Sequence, residues 1–237
     1  MRAIILAAGR GERLRPLTDH TPKPLIEVRG KPLIVWHIEA LAAAGVRDIV
    51  INTAWLAAQF PAALGDGRRW GVRLHYSYEG EEALETGGGI ARALPLLTAD
   101  GDAAFWVVSA DVFLPGYRLD AAQAERFAAD EARAAHLWLV ANRPHHPRGD
   151  FAITSEGLAA NTADDDHLTP RWTWTCIGLF RAALFAGTAP GAKLRIRHFM
   201  DRGIAARAVT AELYPGEWHD VGTPERLTAL NAAPAAC

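Results

Sequence analysis

The sequence has few cysteines, few lysines and no long hydrophobic run. Two cysteines in 237 residues, Cys176 and Cys237, exclude a disulfide framework as the basis of the fold. Half of the residues are hydrophobic, but no apolar run approaches the ~20 residues that span a membrane. A short apolar run at residues 3–8 passes directly into glycine and charged residues, so no secretory signal is visible. These absences predict a cytoplasmic protein that does not act at a membrane.

The charge balance gives no sign of a nucleic-acid partner. The formal net charge is −2, which leaves no excess of positive charge for a phosphate backbone. Only three of the 25 basic residues are lysines, namely Lys23, Lys31 and Lys193. A preference for arginine over lysine is typical of genome composition. It nevertheless makes each of the three lysines of interest as a compact point charge. The alternative is that they are ordinary surface residues.

The pattern of the chain predicts an α/β fold. In the first half, β-like runs at residues 3–8, 48–52, 72–78, 103–109 and 136–141 alternate with helical patterns at 32–44, 89–97 and 119–134. This alternation favours a doubly wound, mostly parallel, Rossmann-like sheet.

The second half follows a different pattern. Residues 151–154 and 171–180 resemble antiparallel strands, 161–170 a polar loop, and helical patterns return at 193–206 and after Thr223. No linker separates two domains. We therefore expect one domain over residues 1–237, with a core in 1–142 and a smaller part, which completes that core, in 143–237.

A glycine loop directly follows the first predicted strand. Gly9 and Gly11 leave room for backbone N–H groups to approach phosphate oxygens, and Arg13 and Lys23 add positive charge. A tight turn is the alternative interpretation of Gly-x-Gly alone. The dinucleotide-binding fingerprint is excluded because Leu14 stands where it needs a third glycine, and Gly-Lys-Ser/Thr of a P-loop is absent.

The full motif is more specific. Gly-x-Gly-x-Arg at residues 9–13 is followed by Arg-Pro-Leu-Thr at 15–18 and Pro-Lys-Pro at 22–24. This combination resembles the signature of the sugar-phosphate nucleotidyltransferase family. The resemblance implies that the loop, with the backbone of Leu6, Ala8, Gly9 and Gly11, binds a nucleoside triphosphate. It also implies that Arg13 grips the leaving pyrophosphate and that Lys23 contacts the reacting phosphates.

Two aspartates are candidate metal ligands. Asp111 follows the strand predicted at residues 103–109, and ligands of open α/β sheets bind beyond the carboxyl ends of the strands. Asp220 lies in Trp218-His-Asp-Val-Gly-Thr223, which resembles the family's Trp-x-Asp-x-Gly-Thr segment. Loop capping and turn formation are the alternatives. The resemblance implies that both carboxylates hold Mg²⁺, an ion that takes hard oxygen ligands.

Three consecutive glycines, Gly87 to Gly89, precede a predicted helix. Glycine costs about 1 kcal/mol relative to alanine inside a helix, so this run indicates that something needs the space. A flat base or ribose against the backbone would explain it, and a flexible turn is the alternative. The resemblance implies that Gly87, Gly88 and the upstream Glu79 lie at the nucleoside.

A closer resemblance concerns the sugar. The chain resembles the short uridylyltransferases of this family that serve cell-wall recycling, in residues 84–90, in residues 145–151 and at Lys193. This resemblance implies that the substrates are UTP and N-acetylmuramate 1-phosphate. It also implies that Asp150 and Lys193 lie at the sugar phosphate. Guanylyl or thymidylyl transfer to mannose or glucose 1-phosphate stays open, because spacing does not reveal base contacts. A monomer or small homo-oligomer is expected.

Other functions are less well supported by the residues. Adjacent His145 and His146 point in diverging directions, so a metal site there is rejected, and the acidic run at residues 164–166 is interpreted as a solvated loop. A catalytically silent regulatory protein is expected to have lost one of the four residues Arg13, Lys23, Asp111 and Asp220. A nicotinamide-dependent dehydrogenase is disfavoured by Leu14.

Overall fold

The computed structural model describes residues 1–161 and 170–232. Almost all of the loop predicted at 161–170, including the acidic run at 164–166, lies outside the described residues, as does Cys237. The described helices are α1 (Leu33–Ala43), α2 (Gln59–Leu64), α3 (Glu85–Leu97), α4 (Ala121–Ala129), α5 (Ile196–Ala205) and α6 (Pro224–Ala232). The strands are β1 (Arg2–Leu6), β2 (Glu27–Val28), β3 (Lys31–Pro32), β4 (Asp48–Thr53), β5 (Arg73–Tyr78), β6 (Ala104–Ser109), β7 (Val112–Phe113), β8 (Ala135–Val140), β9 (Phe151–Ile153), β10 (Ala159–Ala160), β11 (Arg171–Arg181), β12 (Val209–Leu213) and β13 (His219–Asp220).

The main sheet is mixed with a parallel core. Its strands run in the order β5-β4-β1-β6-β11-β8-β12, and β9 and β10 continue from the first part of β11. The four strands β5, β4, β1 and β6 are parallel, whereas β11 runs antiparallel to β6 and β8. The predicted α/β class, with a mostly parallel sheet and an antiparallel part, is confirmed.

Helices cover both faces of this sheet. Ile5 and its neighbours pack on one face against Ile34 and Ile38 of α1, while Ile4 packs on the other face with Ile90 of α3. Successive side chains of a strand point to opposite faces, so a strand buried on both sides needs a continuous apolar run. The run at residues 3–8 has this property because both faces of β1 are covered.

The strand order reverses at β1. The chain moves from β1 to β4 on one side and later returns to β6 on the other side, and such a switch point leaves a crevice at the carboxyl ends of the strands. The amide of Ala110 donates to the carbonyl of Leu6 over 3.0 Å, which joins the loops that follow β6 and β1. The glycine loop and Asp111 therefore start from neighbouring strand ends, as the sequence predicted.

Some elements differ from the sequence-based expectation. Strand β12 and helix α2 were not predicted, and α4 is shorter than residues 119–134. Helix α3 begins at Glu85, four residues earlier than predicted, and includes all three glycines. Glycine disfavours a helix interior, but tertiary packing overrides that preference here. No helix within residues 1–161 and 170–232 has both the length and the apolar character needed to cross a membrane.

A buried carboxylate that pairs with an exposed arginine ties the amino ends of two core strands together. Asp48 of β4 is 6% exposed, and its carboxylate accepts hydrogen bonds from Arg73 at 2.6 Å and His75 at 2.8 Å. The bond from Arg73 holds the pKa of Asp48 well below its ordinary value, against the opposing effect of burial.

We expect Asp48→Asn to lower the free energy of unfolding by about 2 kcal/mol at pH 7. A depressed carboxyl pKa stabilises the fold above the unfolded-state value, and this contribution declines as the pH falls below that value. Urea unfolding at pH 7 and pH 3.5 should therefore show the difference between variant and wild type narrowing in acid. A difference that is constant with pH would contradict the ion pair.

Candidate active site

A cavity of about 840 Å³ lies at the carboxyl ends of the parallel strands. Most of the predicted site residues line it: Leu6, Ala8, Gly9, Gly11, Arg13, Lys23, Glu79, Asp111 and Lys193. Asp220, Asp150, Gly87 and Gly88 lie outside its wall. The structure thus brings the glycine loop, three cations and one of the two predicted metal ligands to one place.

The glycine loop is fixed at both ends. The amide of Ala7 donates to the Asn52 side chain over 2.7 Å, and the hydroxyl of Thr18 donates to the Gly11 carbonyl over 2.9 Å. Gly11 has φ +69°, and a Cβ there would lie 2.9 Å from a methyl of Thr18, so a side chain is disfavoured twice. A Cβ at Gly9 would meet no atom within 4 Å, so no protein contact explains that glycine, and the space beside it is open for a ligand.

The cations of the cavity differ in how they are held. Lys23 is 8% exposed, and its Nζ lies 3.1 Å from Oδ2 of Asp111. Arg13 is exposed and makes no hydrogen bond or ion pair with any residue of the described part. Lys193 contacts Glu82 across 3.3 Å, and both side chains are more than half exposed. Arg13 is therefore free to bind an anion, whereas Lys193 must first leave Glu82.

Asp111 is ionised under ordinary conditions. Its carboxylate accepts a hydrogen bond from Ser109 over 2.7 Å as well as the one from Lys23. Burial acts to raise the pKa of Asp111, but the charge of Lys23 and these hydrogen bonds outweigh it, so the pKa lies below its usual value. A charged, partly exposed oxygen donor thus faces the cavity.

The backbone of Asp220 lies beside that of Asp111, although the two residues are far apart in sequence. Asp220 pairs with Val112 in the two-strand ladder of β13 and β7, and the amide of Val221 donates to the Asp111 carbonyl over 3.1 Å. The Asp220 carboxylate, however, contacts Arg226 and, at 3.4 Å, His145. The two predicted metal ligands are neighbours in the fold, but in this structure they contact different cations.

Among residues 1–161 and 170–232 there is no group of three or more His, Cys, Asp or Glu side chains arranged to hold a metal ion. Within these residues, the predicted metal site consists of the two carboxylates Asp111 and Asp220. The joint role of Asp111 and Asp220 stays a prediction.

Glu79 connects two walls of the cavity. One carboxylate oxygen accepts from Asn52 over 2.6 Å and the other from the amide of Leu84 over 2.6 Å. Burial raises the pKa of Glu79, and these two hydrogen bonds act in the opposite direction. Since Asn52 also holds Ala7, Glu79 fixes the position of the segment at 79–84 relative to the glycine loop. Its contact with the nucleoside stays a prediction.

The triple glycine has a packing role within the protein. A Cβ at Gly87 would lie 2.4 Å from the ring of Phe199, and one at Gly88 would lie 2.1 Å from the Ala192 carbonyl oxygen. The amides of both glycines donate to the carbonyl of Leu194, over 2.8 and 2.9 Å. The space we expected a base or ribose to need is thus used by the segment before α5. A contact of Gly87 and Gly88 with a base stays a prediction.

The carboxylate of Asp150 is held by other residues of the protein. One carboxylate oxygen accepts from the amide of Trp174 over 2.8 Å, and the other lies 3.1 Å from His146. The pairing of β11 with β8 shifts register between Trp174 and Gly178. Asp150 thereby fixes the strand just before this bulge, and its predicted contact with the sugar phosphate stays a prediction.

Cys176 lies in the bulge with φ +64°. Burial raises the pKa of its thiol well above the ordinary value, and the nearby charges of Asp111, Asp150 and Asp220 act in the same direction. This position could not be predicted from the sequence, because no local residue pattern marks a bulge.

We expect Cys176 to react slowly with alkylating agents. The thiolate is the nucleophile, so a raised pKa lowers the reactive fraction near pH 7.5. In a Cys237→Ser variant, where Cys176 is the one remaining cysteine, iodoacetamide should label the native protein at least about tenfold more slowly than the unfolded protein. Equal rates would contradict the burial of this thiol.

Sequence reasoning also missed two arginines. Arg10 donates to the Thr18 carbonyl and to Asp19, and its guanidinium lies 3.6 Å from the ring centre of Trp55. Both Arg10 and Trp55 line the cavity. Arg226 contacts Asp220 from α6. The sequence offered only the Thr-Pro start of α6 as a signal, which marks a helix but not a contact.

Comparison with known proteins agrees with the site. A model of the nucleotidyl transferase family matches residues 2–160. The chain is 44% identical to an N-acetylmuramate alpha-1-phosphate uridylyltransferase of Neisseria meningitidis serogroup B, over 98% of this chain and 97% of the relative.

The chain belongs to the nucleotidyl transferase family. It is also 31% identical to an N-acetylmuramate alpha-1-phosphate uridylyltransferase of Caulobacter vibrioides, over 97% of this chain and 95% of that protein. Among solved structures, one described as a glucose-1-phosphate thymidylyltransferase from Bacillus anthracis superposes with a TM-score of 0.79 at 22% identity, over 98% of this chain and 94% of the other. The membership of the sugar-phosphate nucleotidyltransferase family that the glycine-loop motif predicted is confirmed. The cavity described above is the candidate active site of this nucleotidyltransferase.

Proposed function

We propose that this nucleotidyltransferase transfers the uridylyl group of UTP to N-acetylmuramate 1-phosphate and releases pyrophosphate. The observation that carries the proposal is the pairing of Lys23 with Asp111 beside the glycine loop, at the switch point of the sheet. The choice of substrates is supported by the two uridylyltransferases that resemble the chain over nearly its whole length. The reaction would belong to the recycling of cell-wall sugars in the cytoplasm.

The reaction is an in-line displacement at the α-phosphorus of the nucleotide. An oxygen of the sugar phosphate forms the new P–O bond, and the bond to pyrophosphate breaks. A phosphate monoester is already an anionic nucleophile, so no general base is needed and catalysis rests on alignment and charge. Lys23 holds the reacting phosphates and Arg13 stabilises the charge that develops on pyrophosphate.

The residues present fit a magnesium ion. Mg²⁺ is bound through one or two carboxylates together with substrate phosphates. Asp111 supplies a charged oxygen in the cavity wall, and Asp220 follows on the adjacent strand. When bound there, the ion neutralises phosphate charge at the reaction centre. Arg226 and Lys23 balance the two carboxylates in its absence, which keeps the site from accumulating uncompensated negative charge.

The two parts of the chain divide the substrates between them. The loops after β1, β4, β5 and β6 belong to residues 1–142, which we assign to the nucleotide. Lys193 enters the cavity from residues 143–237, which we assign to the sugar phosphate. When the sugar phosphate binds, Lys193 leaves Glu82 and pairs with the phosphate, which is the stronger anionic partner.

A pyrophosphate-release assay over a grid of nucleoside triphosphates and sugar 1-phosphates tests the proposal. With Mg²⁺ present, UTP and N-acetylmuramate 1-phosphate should give the highest kcat/KM. A preference for GTP or dTTP with mannose or glucose 1-phosphate would show that the substrate assignment is wrong and that the reaction class is right. Absence of release from every pair would contradict catalysis and favour a regulatory protein that only binds nucleotide sugars.

A further inference from the structure

A second cavity, of about 280 Å³, lies next to the candidate active site. Asp220 lies in its wall, whereas Asp111 lies in the wall of the larger cavity. Asp220 pairs with Val112, the residue after Asp111, in the ladder of β13 and β7. The mechanism proposed above uses Asp220 and Arg226 of this wall, but neither Arg29 nor Arg143.

The wall of the second cavity carries one more arginine than carboxylate. Three arginines, Arg29, Arg143 and Arg226, face two carboxylates, Glu217 and Asp220. The three arginines come from segments that are far apart in sequence, so the fold rather than a local charge run assembles them. Such convergence of guanidinium groups is the arrangement by which proteins bind phosphate oxygens.

Two of these arginines have no carboxylate partner in the described part of the chain. Arg143 donates to the Trp218 carbonyl, and Arg29 donates to the Leu230 carbonyl over 3.3 Å. The two acids are already engaged, since Glu217 contacts His219 and Asp220 contacts Arg226. The charges of Arg29 and Arg143 are therefore oriented by neutral acceptors and remain uncompensated.

The position of Arg29 is built into the backbone. It has φ +53°, a conformation that is costly for a residue with a side chain, and its amide donates to Asn231 of α6 over 2.7 Å. Its guanidinium lies 5.1 Å from the ring centre of Phe113. The turn between β2 and β3 is thus held against α6 in a way that keeps this charge at the cavity.

The cavity is also close to the predicted path of the leaving group. Gly222 lines the larger cavity together with Arg13. A Cβ at Gly222 would lie 2.7 Å from Oδ1 of Asp220 and 2.9 Å from Nη1 of Arg226, which line the second cavity. Arg226 contacts Asp220 from the same wall. An anion that moves away from Arg13 would therefore meet a second group of cations directly beside the reaction centre.

We propose that the second cavity is an anion-binding site that takes pyrophosphate as it leaves the active site, with Arg29 and Arg143 as its principal ligands. The choice of pyrophosphate rests on the proposed function, whereas the presence of a phosphate site rests on the arginines alone. Chains of cationic subsites lower the barrier to product departure because the charge is never left without a partner.

Isothermal titration of the full-length protein with pyrophosphate, in buffer without divalent cations, tests this site. The wild type should bind two equivalents, one beside Arg13 and one beside Arg143. Arg143→Gln should weaken one of them at least about tenfold, as expected for loss of a charge-assisted hydrogen bond, and Arg29→Gln should weaken the same one. Arg13→Gln should weaken the other. Arg126→Gln, an exposed arginine of α4, is the matched control and should change neither.

The outcomes separate this site from the active site. If Arg143→Gln and Arg29→Gln, both folded by circular dichroism, bind pyrophosphate as the wild type does, the second site is overturned. If Arg13→Gln alone has no effect, the active-site assignment fails while the second site stands. Inorganic phosphate should bind the Arg143 site more weakly than pyrophosphate. Acetate that binds there as tightly as pyrophosphate would overturn the phosphate class.

Discussion

Asp111→Asn is expected to lower kcat about 1000-fold while leaving the protein folded. Asparagine keeps the shape of the side chain and can still accept the hydrogen bond from Ser109, but it removes the charge that balances Lys23 and that would bind the metal. Loss of one group that acts on the developing charge of a transition state costs about 10²–10³ in kcat, and loss of a metal ligand adds to this. Pyrophosphate release at saturating substrates measures the effect.

Two further variants make the result specific. Asp220→Asn should cause a loss of similar size, whereas Asp130→Asn, an exposed aspartate at the end of α4, should retain the wild-type kcat. Thermal unfolding of all three variants would show that activity, and not folding, has changed. Near-normal turnover in both Asp111→Asn and Asp220→Asn would refute their assignment to the reaction.

Gly88→Ala is expected to destabilise the fold. The added methyl carbon would lie 2.1 Å from the Ala192 carbonyl oxygen, and this backbone atom cannot move without displacing the segment that leads into α5. Overpacking of this kind costs about 1–3 kcal/mol, partly offset by the ~1 kcal/mol that alanine gains over glycine in a helix. Because a 2.1 Å approach to a backbone oxygen is a severe clash, the cost lies at the upper end of this range, and we expect a net loss of about 2 kcal/mol in urea unfolding.

Gly9→Ala provides the contrast. A Cβ at Gly9 meets no atom within 4 Å, so the free energy of unfolding should stay within about 0.5 kcal/mol of the wild type. Because the open space beside Gly9 is proposed to hold the triphosphate, the KM for the nucleotide should nevertheless rise. By contrast, a Gly88→Ala protein with the same free energy of unfolding as the wild type would show that α3 does not pack closely against residues 192–194.

Local sequence signals were sufficient for the centre of the site. The apolar runs that became β1 and β6 are buried on both faces, and each is followed by residues that no core strand would tolerate, Gly9 and Asp111. Once the strands are taken as parallel, their carboxyl ends must meet, which explains why this part of the prediction could be made without a structure.

Residues that depend on distant parts of the chain could not be predicted in this way. Arg29 lies against α6 only because the fold brings Asn231 to its amide, 202 residues further along the chain. The glycines of α3 were attributed to a ligand because a sequence does not show that residues 192–194 occupy the space. The same limit hid β12, which pairs with β8 from more than 60 residues away.

The most direct test of the account is to locate a divalent cation. Crystals grown with Mn²⁺ and a non-hydrolysable UTP analogue would reveal the ion by anomalous scattering. The account predicts one ion with carboxylate oxygens of both Asp111 and Asp220 at about 2.0–2.2 Å and a phosphate oxygen of the nucleotide as a further ligand. An ion bound by only one of the two aspartates, or held elsewhere, would contradict it.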